Sequence, residues 1–290
     1  MSWGNDAGAP RQVRLARHPC YRAEAHGRFG RIHVAVAPRC NISCNYCVRE
    51  FACANENRPG VTTRVGGVDE ALRIVADAVR RDPRLTVLGV AGPGDALANE
   101  PTFELFERAG REFPELTFCL STNGLLLLDR IDDVERLGID TLTVTVNAID
   151  PDIGARIYAH VRYRGRTYHG REGFELLSRH QLEGLRQAAR RGIAVKVNTV
   201  LIPGVNDTHV QDVARLVRAL GASTFNIIPM IPLGRFASIP EPAPEQVAAA
   251  QDLTEKDIDQ FRGCTRCRAD AIGVPGEQDC ALLATAGSKE

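Results

Sequence analysis

The stretch from Arg31 to Cys47, RIHVAVAPRCNISCNYC, joins two different kinds of sequence. Its first half, Arg31 to Pro38, is short, β-branched and closed by proline, the pattern of a strand that feeds a loop. Its second half sets Cys40, Cys44 and Cys47 at CxxxCxxC spacing. A loop directly after a barrel strand lies at the C-terminal mouth, where barrels of alternating strands and helices carry their chemistry. Three thiolates on a compact loop can hold three irons of a [4Fe-4S] cube and leave the fourth iron open to a substrate or cofactor. Zinc is the other reading of clustered thiols, although closed structural zinc sites take four ligands, usually as two CxxC-like pairs.

Outward from this stretch the chain alternates β-like runs with helical patterns. Further strands are expected at Leu85 to Ala91, Leu116 to Ser121, Thr141 to Asn147, Ala194 to Ile202 and Thr224 to Pro229. Helices are expected at Val68 to Arg81, Thr102 to Glu112, Asp129 to Leu137, Gly173 to Arg191 and Thr208 to Leu220. In the first of these, Val68, Ala71, Leu72, Val75, Ala76 and Val79 recur at spacings of three and four, which gives one apolar stripe. Strands alternating with helices of crossover length predict an α/β fold, a parallel barrel or partial barrel with right-handed crossovers. A doubly wound open sheet is the structural alternative. The proline-rich stretch Pro229 to Pro244 reads as a strap leaving the barrel, followed by a helix over about Pro244 to Phe261.

The chain has 290 residues, enough for one large domain that buries roughly 75% of its unfolded surface but not for two catalytic domains. Lys+Arg and Asp+Glu both number 36, so no excess of charge points to nucleic acid or an anionic membrane as partner. No apolar run reaches the roughly 18 residues of a membrane span. The N-terminus lacks the apolar stretch of a signal peptide, so a reducing cytoplasm is expected. The nine cysteines then call for a role other than disulfides. Cys20, Cys53 and Cys119 stand alone and Cys264 and Cys267 form a CxxC; together they could close two further clusters in space, with Cys280 or a histidine completing the six ligands.

The CxxxCxxC loop after a first barrel strand resembles the signature of the radical SAM enzymes. The resemblance implies a [4Fe-4S] cluster whose open iron chelates S-adenosylmethionine (SAM), and reductive cleavage to a 5'-deoxyadenosyl radical, chemistry that no side chain supplies. Cys40, Cys44 and Cys47 are then the catalytic cluster ligands. Gly92, Gly94 and Asp95, in a GPGD run ending the second strand, match the family's glycine-rich element beside the methionine moiety. Ser121 and Asn123 end the third strand, Asn147 the fourth, and Asn198 lies on the fifth; each is a candidate ligand contact, with an ordinary turn or cap as the alternative.

The segments HPCY, CANENRPGV, GVAGPGD, STNGLLL, TVTVNAI, VNTVLIPGVND, NIIPMIP and CTRCRADAIG, from about His18 to Gly273, narrow the likeness. Together they resemble the radical SAM maturases of the nitrogenase iron-molybdenum cofactor, in their short form. This implies three [4Fe-4S] clusters, one binding SAM and two that serve as substrate. The two are fused with an added sulfide and a SAM-derived carbon into an [8Fe-9S-C] core. Cys20, Cys53, Cys119, Cys264 and Cys267 are the implied ligands of the two accessory clusters. His33 is the best match for a nitrogen ligand and His18 the second; Cys280 stands outside the pattern. Glu56, with Asn55 and Arg58, is a candidate for polar work near SAM.

The implied organisation is an N-terminal extension over residues 1–30, a partial (β/α)6 barrel over 31–230, and a strap, helix and CxxC segment over 231–290, the extensions capping the mouth. Expected partners are iron-sulfur cluster donors, a cofactor carrier or scaffold protein of nitrogenase maturation, and a low-potential electron donor. Two other readings stand beside this one. A molybdopterin-type GTP cyclase would use Cys264, Cys267 and Cys280, but it leaves Cys20, Cys53 and Cys119 without a role and ends in a Gly-Gly that this sequence lacks. A passive iron-sulfur carrier would need no SAM cavity.

Overall fold

The computed structural model describes residues 11–48, 66–263 and 269–277. The first half of the chain contributes α1 (Arg11–Ala16), β1 (Gly30–His33), β2 (Ile42–Cys44), α2 (Val68–Arg81), β3 (Leu85–Val90), α3 (Glu100–Glu112), β4 (Thr117–Thr122), α4 (Leu127–Arg136) and β5 (Ile139–Thr145). The second half contributes α5 (Pro151–Ile157), β6 (Tyr158–Tyr163), β7 (Arg166–Tyr168), α6 (Gly170–Arg190), β8 (Ala194–Leu201), α7 (Val210–Ala219), β9 (Thr224–Pro229), α8 (Pro244–Glu255) and β10 (Ile272–Gly273).

The main sheet has the order β10-β1-β3-β4-β5-β8-β9, and all its neighbours from β1 to β9 are parallel. Its parallel strands follow chain order without reversal. A doubly wound sheet reverses direction at a switch point, so this is the barrel-type winding, a curled partial (β/α)6 barrel. The convex face carries Ile32, Leu88, Phe118, Leu142, Val197 and Phe225, which share one core with Val75 of α2, Phe106 of α3, Ile131 of α4 and Val213 of α7. Each such side chain adds about 1.5–3 kcal/mol by leaving water. α2 spans the residues that its apolar spacing predicts, and four of its buried positions, Val68, Ala71, Leu72 and Val75, belong to the expected stripe.

The alternate residues of the same strands form a concave wall of a different kind. The register sets His33 opposite Gly89, Gly89 opposite Cys119 and Cys119 opposite Thr141, and the next row runs through Ser121, Thr143, Lys196 and Thr224. Thr141, Thr143, Thr145, Lys196, Asn198 and Asn226 are all buried there. A barrel interior built only for packing would be branched and apolar; this one is polar.

A second, antiparallel sheet, β2-β6-β7, stands at the mouth and packs on α5 and α6. Tyr158 stacks on Phe174 with ring centroids 5.9 Å apart, and a Cβ at Gly154 would lie 2.2 Å from the Phe174 ring, so α5 and α6 meet only because position 154 is glycine. The alternation of strand and helix does not foresee this sheet. Its signal is local: YAHVRY and RTY flank the two-residue turn Arg164-Gly165, both at positive φ, the hairpin type that matches strand twist.

Two further differences lie in the extensions. The helix expected to reach Phe261 stops at Glu255, because residues 259–261 turn back along β9: Phe225 N–H donates to the Asp259 carbonyl (2.8 Å) and Phe261 N–H to the Phe225 carbonyl (2.8 Å). At the opposite edge β10 pairs with Arg31 and Ile32. Both free edges of the sheet thus find backbone partners where the strands begin. The described parts of the extensions reach both ends of the barrel: residues 259–261 and β10 pair where the strands begin, while Gly234 and Arg235 lie against the cysteine loop at the mouth.

Candidate functional site

The cysteine loop is fixed by the strand ends that follow it in sequence. Gly94 N–H donates to the Ala37 carbonyl (2.6 Å) and Asp95 N–H to the Arg39 carbonyl (2.8 Å). A Cβ on Gly94 would lie 2.3 Å from the Arg39 oxygen, so only glycine permits this approach. Asn99, at the start of α3, grips Arg39 from both sides: Nδ2 donates to its carbonyl (2.8 Å) and Oδ1 accepts its N–H (3.1 Å). Cys40 therefore emerges from a clamped residue. Gly92 (φ 139°) turns the chain from β3 into this contact.

The Asp95 carboxylate is buried and faces protein donors. It accepts from Leu97 N–H (3.1 Å), Thr122 Oγ1 (2.9 Å) and Asn123 N–H (2.6 Å). Burial pushes its pKa up to about 6, against the pull of these donors. Asp95 thereby joins the glycine-rich turn to the end of β4. Asn123 Nδ2 in turn reaches Asn41 Oδ1 (2.6 Å) and the Cys40 sulfur (3.7 Å). Asn147 Nδ2 donates to the Tyr46 hydroxyl (2.7 Å) while its Oδ1 accepts Val200 N–H (2.9 Å), which sets the residue before Cys47. Asn198 Oδ1 accepts from Asn226 Nδ2 (3.0 Å) on the concave wall, where Ser121 also lies, half-buried.

Cys40 and Cys47 are half-buried and Cys44 is buried, and none of the three is in a disulfide. Among the described residues no three His, Cys, Asp or Glu side chains are grouped to hold one metal ion. A cube binds its thiolates at separate iron corners, so three adjacent thiols that do not converge on one point suit it. The donor set, three soft thiols from an eight-residue span held by glycine and asparagine contacts, fits a [4Fe-4S] cluster with one open iron.

A second group lies deeper on the same wall. Cys119 on β4 packs with Tyr21, Val87 and the half-buried Cys20. Cys119 is four residues before Asn123, about 13 Å along a strand. Lys196 Nζ reaches the Cys20 carbonyl (3.4 Å) and lies over the rings of Tyr21 and Phe261, at 5.2 and 5.3 Å. It ties the N-terminal extension and the returning C-terminal segment to β8. The His33 ring lies across Gly89, where a Cβ would be 2.7 Å away. His18 is 1% exposed; its Nδ1 accepts Cys20 N–H (3.1 Å), and its buried Nε2 meets no hydrogen-bond partner. Burial, then the Lys196 charge and His33, hold His18 well below the usual imidazole range, so it is neutral.

Cys53, Glu56, Asn55, Arg58, Cys264, Cys267 and Cys280 lie outside the described residues. Sequence reasoning missed Asn99, Tyr46, Lys196 and Gln181. Gln181 is wholly buried and its Nε2 donates to the carbonyls of Asn123 (2.7 Å) and Thr145 (2.8 Å). Its signal was a polar residue on the apolar stripe Phe174, Leu177, Leu185, Ala188 of α6.

The Radical SAM superfamily profile matches residues 34–217. Over 275 residues the chain is 45% identical to the FeMo cofactor biosynthesis protein NifB of Frankia alni, covering 91% of this chain and 54% of that protein. It is 44% identical to NifB of Chlorobaculum tepidum (91% and 63% covered) and 42% identical to NifB of Azotobacter vinelandii (92% and 54%). The chain thus spans less than two thirds of the length of these relatives. Among solved structures, a radical SAM methyltransferase from Sphaerobacter thermophilus superposes with a TM-score of 0.54 at 21% identity, covering 83% of this chain and 70% of that one. Streptococcus suis SuiB gives 0.56 at 11% identity, covering 80% and 49%. At these identities the two structures speak for the fold alone.

Proposed function

This chain belongs to the radical SAM superfamily and, within it, to the NifB proteins of FeMo cofactor biosynthesis; from that premise we propose that it builds the cofactor's iron-sulfur core. The substrates are two [4Fe-4S] units, joined with an added sulfide and a carbon from the SAM methyl group into an [8Fe-9S-C] precursor. The observation that carries this reading is the pair of thiol groups on one polar concave wall, the cysteine loop at the mouth and Cys20 with Cys119 below it. A passive carrier has no use for two such layers in one cavity.

A [4Fe-4S] cluster with SAM, when bound at Cys40, Cys44 and Cys47, supplies one-electron cleavage of SAM and the adenosyl radical. The chain's own residues set the conditions. Asn123 donates toward the Cys40 sulfur, which favours its thiolate. Gly92 and Gly94 bring backbone against the loop, with Asp95 holding that turn to β4. Ser121, Asn123, Asn147 and Asn198 are the proposed polar contacts of SAM, Asn147 acting through Tyr46. Cys20, Cys119 and a histidine, with Cys53, Cys264 and Cys267, are the proposed anchors of the substrate clusters, and Glu56 remains a candidate beside SAM. Residues 1–30 and 231–290 are, on this reading, the extensions that carry part of these anchors. Holding both layers in one cavity turns an encounter of two clusters into an intramolecular step.

The proposed partners are cluster donors, a carrier or scaffold protein and a low-potential electron donor. Among the described residues no helix is long and apolar enough to cross a membrane. The test is anaerobic reconstitution followed by SAM and dithionite. Formation of 5'-deoxyadenosine and S-adenosylhomocysteine, and a cluster that activates cofactor-free nitrogenase, is the expected result. A reconstituted protein that cleaves SAM but never carries methyl-derived carbon into a cluster would overturn the maturase reading.

A further inference from the structure

The outer side of the cysteine loop is framed by three exposed arginines, each tied through its backbone or carbonyl to a residue that directly follows a loop cysteine. Arg162 N–H donates to the carbonyl of Asn41 (2.8 Å), next to Cys40. Arg235 N–H donates to the carbonyl of Asn45 (2.7 Å), next to Cys44. The Arg156 carbonyl accepts from Asn45 Nδ2 (2.7 Å). A Cβ on Gly234 would lie 2.8 Å from the Asn45 oxygen and 3.1 Å from the Cys47 oxygen, so Arg235 is held hard against the loop.

The charge around them is one-sided. His160 pairs in register with Ser43, between the first two cysteines. The charged groups that bear on it, Arg162, His169 and Arg235, are all basic. The hairpin Tyr158 to Tyr168 holds three arginines and no acidic residue in a chain of zero net charge. Asp129 pairs with Arg164 of the hairpin and Asp152 of α5 with Arg171. Among the described residues, Arg156, Arg162 and Arg235 form no ion pair. Arg156 is capped by the Gly204 carbonyl (2.9 Å); Arg162 and Arg235 point their charge at solvent.

We propose that this arginine-framed face docks a small acidic ferredoxin, which delivers to the loop the single electron that SAM cleavage consumes. The inference rests on the radical SAM reading above. Its balance is one electron, the ferredoxin oxidised and the cluster at Cys40, Cys44 and Cys47 reduced. Ferredoxin centres reach potentials of about −400 mV, and surface charge complementarity of this kind raises the on-rate and orients the encounter. Arg156, Arg162 and Arg235 are exposed, whereas Thr143, Lys196, Asn198 and Asn226 of the concave wall, where substrate clusters would sit, are buried. Donor and substrate therefore do not compete for one opening.

The test compares two reductants on the reconstituted protein, dithionite and a reduced acidic two-cluster ferredoxin. In the double variant Arg162→Glu/Arg235→Glu, 5'-deoxyadenosine formation with dithionite should match the wild type. With ferredoxin it should fall about 10-fold or more at low salt, and the Kd for ferredoxin, measured by titration, should rise by a similar factor. Arg162→Lys/Arg235→Lys should behave as wild type in both arms, and wild-type binding should weaken as salt is added. Unchanged ferredoxin binding in the glutamate variant would overturn the docking site. Loss of the dithionite-driven reaction in that variant would also overturn it, by showing that the arginines support the loop itself. If the wild type forms no 5'-deoxyadenosine with either reductant, the radical SAM reading fails, and the binding arm still decides the surface.

Discussion

Asp95 carries the tightest coupling between the parts of the site. Its carboxylate has three donors and no acceptor, so the ionised form suits the geometry, yet burial lifts its pKa to about 6 from an ordinary value near 3.8. A raised pKa means that, between about pH 4 and pH 6, the folded chain binds a proton that the unfolded chain does not. Stability attributable to Asp95 therefore falls as pH rises through that window. Asp95→Asn lacks the titration. In urea unfolding of the cluster-free protein, the advantage of wild type over Asp95→Asn should be larger at pH 4.5 than at pH 7, by on the order of 2 kcal/mol. A gap independent of pH would show that Asp95 titrates as an exposed carboxyl.

The two histidines make a second prediction at this scale. The sequence ranks His33 first as a nitrogen ligand, on the strand itself. The geometry gives His18 the buried nitrogen without a partner, beside Cys20. A pulsed EPR nitrogen coupling in the reconstituted wild type should vanish in one of His18→Ala and His33→Ala and persist in the other. Its survival in both variants removes both candidates.

At the scale of elements, α1 depends on one buried carboxylate. Arg11 (3.2 Å) and Arg14 (2.8 Å) both bind Asp140 Oδ1 at the start of β5, and this six-residue helix buries no side chain of its own. Burial raises the Asp140 carboxyl above its ordinary range in spite of both guanidiniums. Breaking a buried pair costs 3–5 kcal/mol, but both arginines are partly exposed, so about 1–3 kcal/mol is expected for Asp140→Ala. Amide exchange over residues 11–16 should become nearly unprotected while that of β4 and β5 stays slow. The helices with wide apolar stripes, α2 above all, were legible because one face must be buried whatever the partner. The β6-β7 hairpin was legible only in its turn. Its pairing partner β2 comes from more than a hundred residues earlier, and no local pattern encodes that.

For the whole molecule, the barrel separates two thiol layers on one wall. Replacing Cys264 and Cys267 with alanine should lower bound iron by about one cube, since such clusters depend on their thiolates. SAM cleavage at Cys40, Cys44 and Cys47 should persist, and transfer of label from carbon-14 methyl SAM into a larger cluster should stop. Full label incorporation by the double variant would exclude that CxxC from the substrate sites.

Spacing along the chain was enough for the order of the barrel strands and their covering helices, the thiol loop after the first strand, and the glycine at 94 that a close backbone approach demands. Short-range periodicity and covalent spacing are local properties, and local properties can be read residue by residue. It took folding to bring Asn99 onto Arg39, Gln181 of α6 to the end of β4, and Lys196 between Cys20 and Phe261. The concave wall is polar because strand register, set by burial of the opposite face against the helices, aligns His33, Gly89 and Cys119 across three strands. Each of these contacts joins residues distant in sequence, and its energy exists only once the sheet has curled and the helices have covered its outer face.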